Sequence, residues 1–374
     1  MITRIYDDLG VYLKPNEVLI IYGPRRVGKT ILLNNFLSKT TLKFKVENGG
    51  DLGIQEVLSS QRADKLSQYA SGYELIAIDE AQYIPNIGSS LKLLIETVPG
   101  IKVIATGSAS FDLSNKVGEP LTDRSTTLVL YPVSQLELGK LMNKYELSQK
   151  LEEYLIYGTY PKVLGMKSQA EKGKNLRALV NSYLLKDILD LEDVKGSKIL
   201  LDLLRLLAFQ IGSEVSLSEL AQNLPIDPKT VARYLDLLEK SFVLINLRGY
   251  SRNLRKEIST KSKYFFYDNG IRNAVINNFN PLNLRDDVGK LWENFLVIER
   301  IKKQTYKSIL TNNYFWRTWD QKEVDFVEER EGKLFGYEFK YSQTKHKVSQ
   351  DFINIYPGSK ISVINSENYL EYIA

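Results

Sequence analysis

The chain has 374 residues, 43% hydrophobic and 25% charged, with a formal net charge of +5; this is a globular composition, long enough for two or three domains with cores of their own. It has no cysteine and one histidine, His346, between two lysines, which excludes structural disulfides and cysteine-ligated zinc or iron–sulfur sites and argues against histidine nucleophiles and multi-histidine metal centres. The mild positive charge permits a nucleic-acid partner without requiring one. No signal peptide or membrane-length apolar run is evident, so a cytoplasmic location without a membrane partner is expected.

Residues 18–22, Val-Leu-Ile-Ile-Tyr, form an apolar run of strand length that leads into Gly23-Pro24-Arg25-Arg26-Val27-Gly28-Lys29-Thr30. An apolar-periodic segment, Ile31–Leu37, follows. This is a phosphate-binding loop in the strand–loop–helix setting it requires. Glycines let the backbone curl so that successive N–H groups face phosphate oxygens, and the helix N-terminus adds partial positive charge. Lys29 would reach the β- and γ-phosphates and Thr30 would ligate Mg²⁺. Nucleotide contacts are expected along Gly23, Pro24, Arg25, Arg26, Val27, Gly28, Lys29, Thr30 and Ile31.

About fifty residues on, Tyr73–Glu80 is an apolar strand ending in two acids. Parallel strands of a doubly wound sheet end on one edge, so Asp79 would emerge beside the phosphates and support the metal through water. Glu80 could orient or deprotonate an attacking water, which favours hydrolysis over binding alone. A third strand, Ile101–Thr106, runs into Gly107-Ser108-Ala109-Ser110. Thr106 or Ser108 would sense the γ-phosphate, or the serines simply cap a tight turn. Arg124 follows Pro120-Leu121-Thr122-Asp123 and precedes an apolar stretch, Thr127–Tyr131; it is either a finger on a neighbouring subunit's nucleotide, which would require a homo-oligomer, or a surface arginine.

From Ser134 to about Leu207 the pattern is helical, interrupted at Gly158-Thr159-Tyr160-Pro161. A winged helix-turn-helix is expected next. Ser216-Leu217-Ser218-Glu219 reads as a capping box, Asn223–Ile226 as the turn, and Asp227 as the cap of a second helix with Pro228 at its first position. Val231, Tyr234, Leu235 and Leu238 form its apolar face, leaving Lys229, Thr230 and Arg233 for a major groove. Strands at Phe242–Leu247 and Lys263–Tyr267 would make the wing. Around and between them lie Arg248, Arg252, Arg255, Lys256, Lys261 and Lys263, opposed by Glu257: a phosphate-binding surface, or a solvated loop on a protein-docking module.

The last section holds a second set of acids. Glu293 lies on an amphipathic helix starting near Asp287, and strands are expected at Glu323–Val327 and Lys333–Lys340. The spacing Asp325-x₁₂-Glu338-x-Lys340 is that of restriction-endonuclease-like cores. Alternation puts Glu338 and Lys340 on one face of a strand. Asp325 and Glu338 would hold Mg²⁺ with help from Glu293, and Lys340 would stabilise the attacking water; alternatively the Glu-x-Lys pair is only a surface ion pair.

Together these motifs, with Ile78–Gln82, Thr106–Ser110, Pro132–Glu137, Gly158–Pro161, Lys263–Gly270, Trp292–Asn294, Phe315–Thr318, Glu323–Phe326 and Tyr337–Lys340, resemble a prokaryotic family of AAA-type P-loop ATPases with an uncharacterised C-terminal region. Two departures are the family's glycine before Arg124, here Asp123, and its paired glycines, here Gly158-Thr159. The resemblance implies an α/β protein: a P-loop doubly wound parallel sheet (1–132), a helical lid (133–207), a winged helix (208–275) and a restriction-endonuclease-like α/β domain (276–374). It also implies ATP rather than GTP. The expectation is an Mg²⁺-dependent ATPase whose nucleotide state controls a module that binds, or cuts, double-stranded DNA; the alternative is an ATP-driven switch or scaffold with an idle nuclease-like fold.

Overall fold

The computed structural model describes residues 2–108, 121–181, 197–251, 262–318, 321–342 and 350–374. Ala109, Ser110, Pro120, His346 and the charged residues Arg252, Arg255, Lys256, Glu257 and Lys261 lie outside them. The chain divides into two compact units, Met1–Tyr131 with Lys240–Phe242, and Pro132–Glu239 with Val243–Ala374.

The first unit is built on a five-stranded sheet in the order β2-β3-β4-β1-β5. Its strands are β1 (Val18–Tyr22), β2 (Phe44–Asn48), β3 (Leu75–Asp79), β4 (Lys102–Gly107) and β5 (Ser125–Val129), and every pairing is parallel. Such a sheet needs cover on both faces, which is why β1, β3 and β4 are continuous apolar runs instead of alternating ones. Ile76, Ile78, Val103 and Ala105 meet Leu66, Leu91 and Leu94 in one core, the leucines supplied by helices Ala63–Ala70 and Ile87–Thr97. Helix α1 (Lys29–Leu37) follows the loop after β1. Because all five strands run the same way, the carboxyl ends of β1, β3 and β4 share one edge.

The second unit begins with short helices. Ser134 and Glu137 form a buried capping box that starts the first of them. The helical run breaks at Gly158, whose φ is +67°; a Cβ there would sit 2.0 Å from Asp268 Oδ1, so only glycine fits. Helices Leu217–Asn223 and Pro228–Lys240 are present. Asp227 caps the latter by accepting from Thr230 N at 3.0 Å, and its buried face holds Val231, Tyr234, Leu235, Leu237 and Leu238.

One finding departs from the expected boundary at residue 275. The two strands assigned to a wing, β6 (Leu244–Gly249) and β7 (Ser262–Phe266), pair with each other. However, β6 also runs parallel to β8 (Asn312–Arg317) through Arg248–Tyr314 and Gly249–Phe315. A six-stranded sheet therefore continues in the order β11-β10-β9-β8-β6-β7, with β9 (Glu323–Arg330), β10 (Lys333–Phe339) and β11 (Lys360–Ile364). The open edge of β6 takes a partner from far along the chain, satisfying backbone groups that a free hairpin would leave to solvent. Helix Val288–Tyr306 is fastened to this sheet by Asn294, which accepts from Phe266 N at 2.7 Å and donates to Phe266 O at 3.0 Å.

Candidate nucleotide site

The loop leaves β1 at the shared carboxyl edge. Gly23 has φ +147°, and a Cβ there would lie 2.1 Å from Leu130 O. Gly28 has φ +101° and stands at the N-cap of α1 with no side-chain cap. The backbone thus curls at Gly23 where a side chain would be blocked, and at Gly28 in a left-handed conformation that favours glycine. Between the glycines, Val27 is fully buried, and its carbonyl accepts from Arg4 NH1 at 2.5 Å while Arg4 NH2 donates to Tyr131 O at 2.6 Å. Arg4 is itself buried. A guanidinium bonded to the Val27 carbonyl polarises the peptide whose N–H belongs to Gly28.

Lys29 is buried and its ammonium donates to Gly23 O at 2.8 Å and Pro24 O at 2.9 Å, so it lies along the loop it is expected to serve. Arg25 donates to Tyr83 Oη at 2.5 Å. Arg26 adopts φ +63°, and Ile31 is half exposed on α1.

The ends of three strands meet through side chains. Thr30 Oγ1 donates to Asp79 Oδ2 at 2.8 Å, and Thr106 Oγ1 donates to Asp79 Oδ1. Glu80, in the left-handed region at φ +53°, donates its N–H to Thr106 Oγ1 at 3.2 Å. Its carboxylate accepts from Gln82 Nε2, which also donates to Ser108 Oγ at 3.1 Å. Lys29, Thr30, Asp79, Glu80, Thr106 and Ser108 are therefore linked by the loop and these bonds.

Arg124 does not join this network: it is half exposed and paired with Glu96. The preceding Asp123 has φ +59°, a left-handed conformation that glycine adopts at lower cost. Arg4 and Gln82 carried no role in the sequence reading. Gln82 closes the segment Ile78–Gln82; nothing local marks Arg4.

The C-terminal acids are arranged differently. Lys263, 3% exposed, pairs with Glu323 and lies 3.6 Å from Glu293. Burial opposes its charge, but Glu293, Glu323 and Asp325 outweigh this and hold the ammonium above its ordinary range. Burial pushes Glu293 up to about 8, with Lys263 acting in the other direction. Asp325 is also raised by burial; it accepts from Phe339 N at 2.7 Å and lies 3.9 Å from Lys340. Glu338 is buried on β10. Among the described residues no group of three or more histidine, cysteine or acidic side chains is placed to hold a metal ion. Glu293 faces Lys263, while Asp325 faces a backbone N–H and Lys340.

Residues 15–139 match an AAA domain. All of the strand-end network falls within these matched residues; Arg4 precedes them. Residues 148–282 match a domain of unknown function (DUF8612) and 288–372 another (DUF4143), and the six-stranded sheet runs across the interval between them. An uncharacterised protein of Mycobacterium tuberculosis is 28% identical over 338 residues, covering 87% of this chain and 71% of that protein. One from Haemophilus influenzae is 27% identical over 337 residues, covering 83% and 79%. Among solved structures, a Walker-type ATPase of Pyrococcus abyssi aligns over 69% of this chain and 91% of its own, with 15% identity and a TM-score of 0.48. No helix among the described residues is long and apolar enough to cross a membrane.

Proposed function

We propose that the chain is an Mg²⁺-dependent ATPase whose AAA domain binds and hydrolyses ATP and whose nucleotide state governs the C-terminal half. The observation that carries this reading is the Thr30–Asp79–Thr106 bonding at the carboxyl edge of the sheet, beside a glycine-curled loop. A hydroxyl and a carboxylate 2.8 Å apart are a hard-oxygen donor pair that fits Mg²⁺. Thr30 would hold the ion directly and Asp79 through water. When bound, Mg²⁺ neutralises the phosphate oxygens on which charge collects during transfer. Lys29 supplies positive charge to the β- and γ-phosphates, and the loop N–H groups orient them. Glu80 accepts the proton of the water that attacks the γ-phosphorus, giving ADP and inorganic phosphate.

For the C-terminal half we favour a binding or switching role over DNA cleavage, because two of the three carboxylates expected to hold a metal lie against lysines, Glu293 at 3.6 Å from Lys263 and Asp325 at 3.9 Å from Lys340. Lys229 and Arg233 are exposed on helix Pro228–Lys240 and suit a phosphate backbone or an acidic protein surface. One experiment tests both halves: ATP hydrolysis and duplex cleavage are measured with Mg²⁺ or Mn²⁺ for the wild type, Lys29→Ala and Glu338→Ala. The expected result is hydrolysis reduced by about 100-fold or more in Lys29→Ala and no cleavage by any form. Hydrolysis untouched by Lys29→Ala would refute the ATPase reading, and cleavage lost in Glu338→Ala would restore the nuclease one.

A further inference from the structure

We infer that Gln82 is a positioning residue for Glu80, holding the carboxylate that takes the proton from the attacking water; this rests on the ATPase reading above. A glutamine amide nitrogen has two hydrogens. Both are used here, one on Glu80 Oε2 and one on Ser108 Oγ at 3.1 Å. The other end of the amide, Oε1, is buried without a hydrogen-bond partner. Leaving a buried carbonyl unpaired is unfavourable, and flipping the amide would aim that carbonyl at the Glu80 carboxylate. The donor side therefore decides the orientation.

Glu80 needs such a support. Its backbone sits at φ +53°, a region that disfavours residues with a Cβ, and its N–H is tied to Thr106 Oγ1 at 3.2 Å. Gln82 adds a second tie, at the carboxylate, and anchors it to Ser108, buried just beyond β4. The short helical turn Ala81–Tyr83 does not depend on the amide: Tyr83 N bonds Glu80 O at 3.2 Å and Ile84 N bonds Ala81 O at 3.1 Å. Removing the amide should thus disturb the carboxylate and leave the turn in place.

The test is steady-state ATP hydrolysis, affinity for a fluorescent ATP analogue, and thermal unfolding for the wild type, Gln82→Ala, Gln82→Glu and Glu80→Gln. In Gln82→Ala, kcat is expected to fall at least about tenfold, with KM and analogue affinity within about threefold of the wild type. Gln82→Glu, which sets a like charge against Glu80, should approach Glu80→Gln. Unchanged or increased kcat in Gln82→Ala overturns the assignment, as does a parallel loss of kcat, affinity and melting temperature, the mark of a structural role. A wild type that binds ATP without hydrolysing it overturns both this assignment and the ATPase reading; failure confined to the Gln82 variants overturns the assignment alone.

Discussion

Two regions of this chain gather carboxylates, and they satisfy them by opposite means. At the strand ends of the first unit, Asp79 is met by the hydroxyls of Thr30 and Thr106, and Glu80 by an amide. Around the six-stranded sheet, Glu323 and Asp325 are met by the ammonium groups of Lys263 and Lys340, and Glu293, on the helix Val288–Tyr306, lies 3.6 Å from Lys263. Neutral donors orient a carboxylate without cancelling its charge, so an arriving divalent cation still finds it. An ammonium cancels the charge, and a metal would have to displace it. The same residue types therefore carry different expectations: a ligand site in one region, a self-sufficient ionic core in the other.

The largest predicted effect breaks the ionic core. Replacing Lys263 with Met removes a nearly buried cation and leaves its acids facing one another, which should cost about 3–5 kcal/mol of stability, read by urea denaturation. If the ammonium is self-sufficient, Mg²⁺ will raise the melting temperature of the Lys263→Met variant by more than that of the wild type, whose proposed metal site lies at the strand ends of the first unit. A variant as stable as the wild type would mean that the acids do not need the lysine.

A smaller effect sharpens the other side. Arg4→Met retains bulk but removes the charge bonded to the Val27 carbonyl. Charge-assisted bonds of this kind are about twice as strong as neutral ones, so affinity for Mg²⁺–ATP should weaken by about tenfold, measured calorimetrically, with Arg4→Lys intermediate. Unaltered affinity would reduce Arg4 to a packing residue.

Legibility in the sequence follows the range of the interactions. The strand, loop and start of α1 were readable at residues 18–37 because apolar run, glycines and helix follow one another directly. The ends of β3 and β4 were readable for the same reason, and so was the apolar face of helix Pro228–Lys240. Edge strand β2 was missed, since its side chains are exposed or half-buried throughout and give no apolar run. Arg4 was invisible because Tyr131, one of its acceptors, lies 127 residues away. Lys263 was read as part of a basic loop, yet it is one of the buried charges of the chain; only the fold brings Glu293 and Glu323 to it. The pairing of β6 with β8 is likewise a long-range event that no local pattern announces.

Acid pH offers the mildest probe of the same contrast. Asp268, in the second unit, is driven up to about 6 by burial, although Thr159 N donates to it at 2.7 Å and Ile271 N at 3.1 Å and Lys302 acts in the same downward direction. Its folded pKa is therefore above the ordinary 3.8, so the native state holds this proton more tightly than the unfolded chain. The contribution of Asp268 to stability is then fully present below its unfolded value and is lost as pH rises through about 6, the reverse of a salt-bridged carboxylate. The slope it imposes is at most about 1.4 kcal/mol per pH unit. Asp268→Asn should be less stable overall, because an amide N–H would face the Thr159 or Ile271 donor, but the difference from the wild type should narrow as pH rises from 4 to about 6. Urea unfolding at several pH values reads this directly, and a difference that widens over that range would show that Asp268 is held ionised by its N–H donors instead of being protonated by burial.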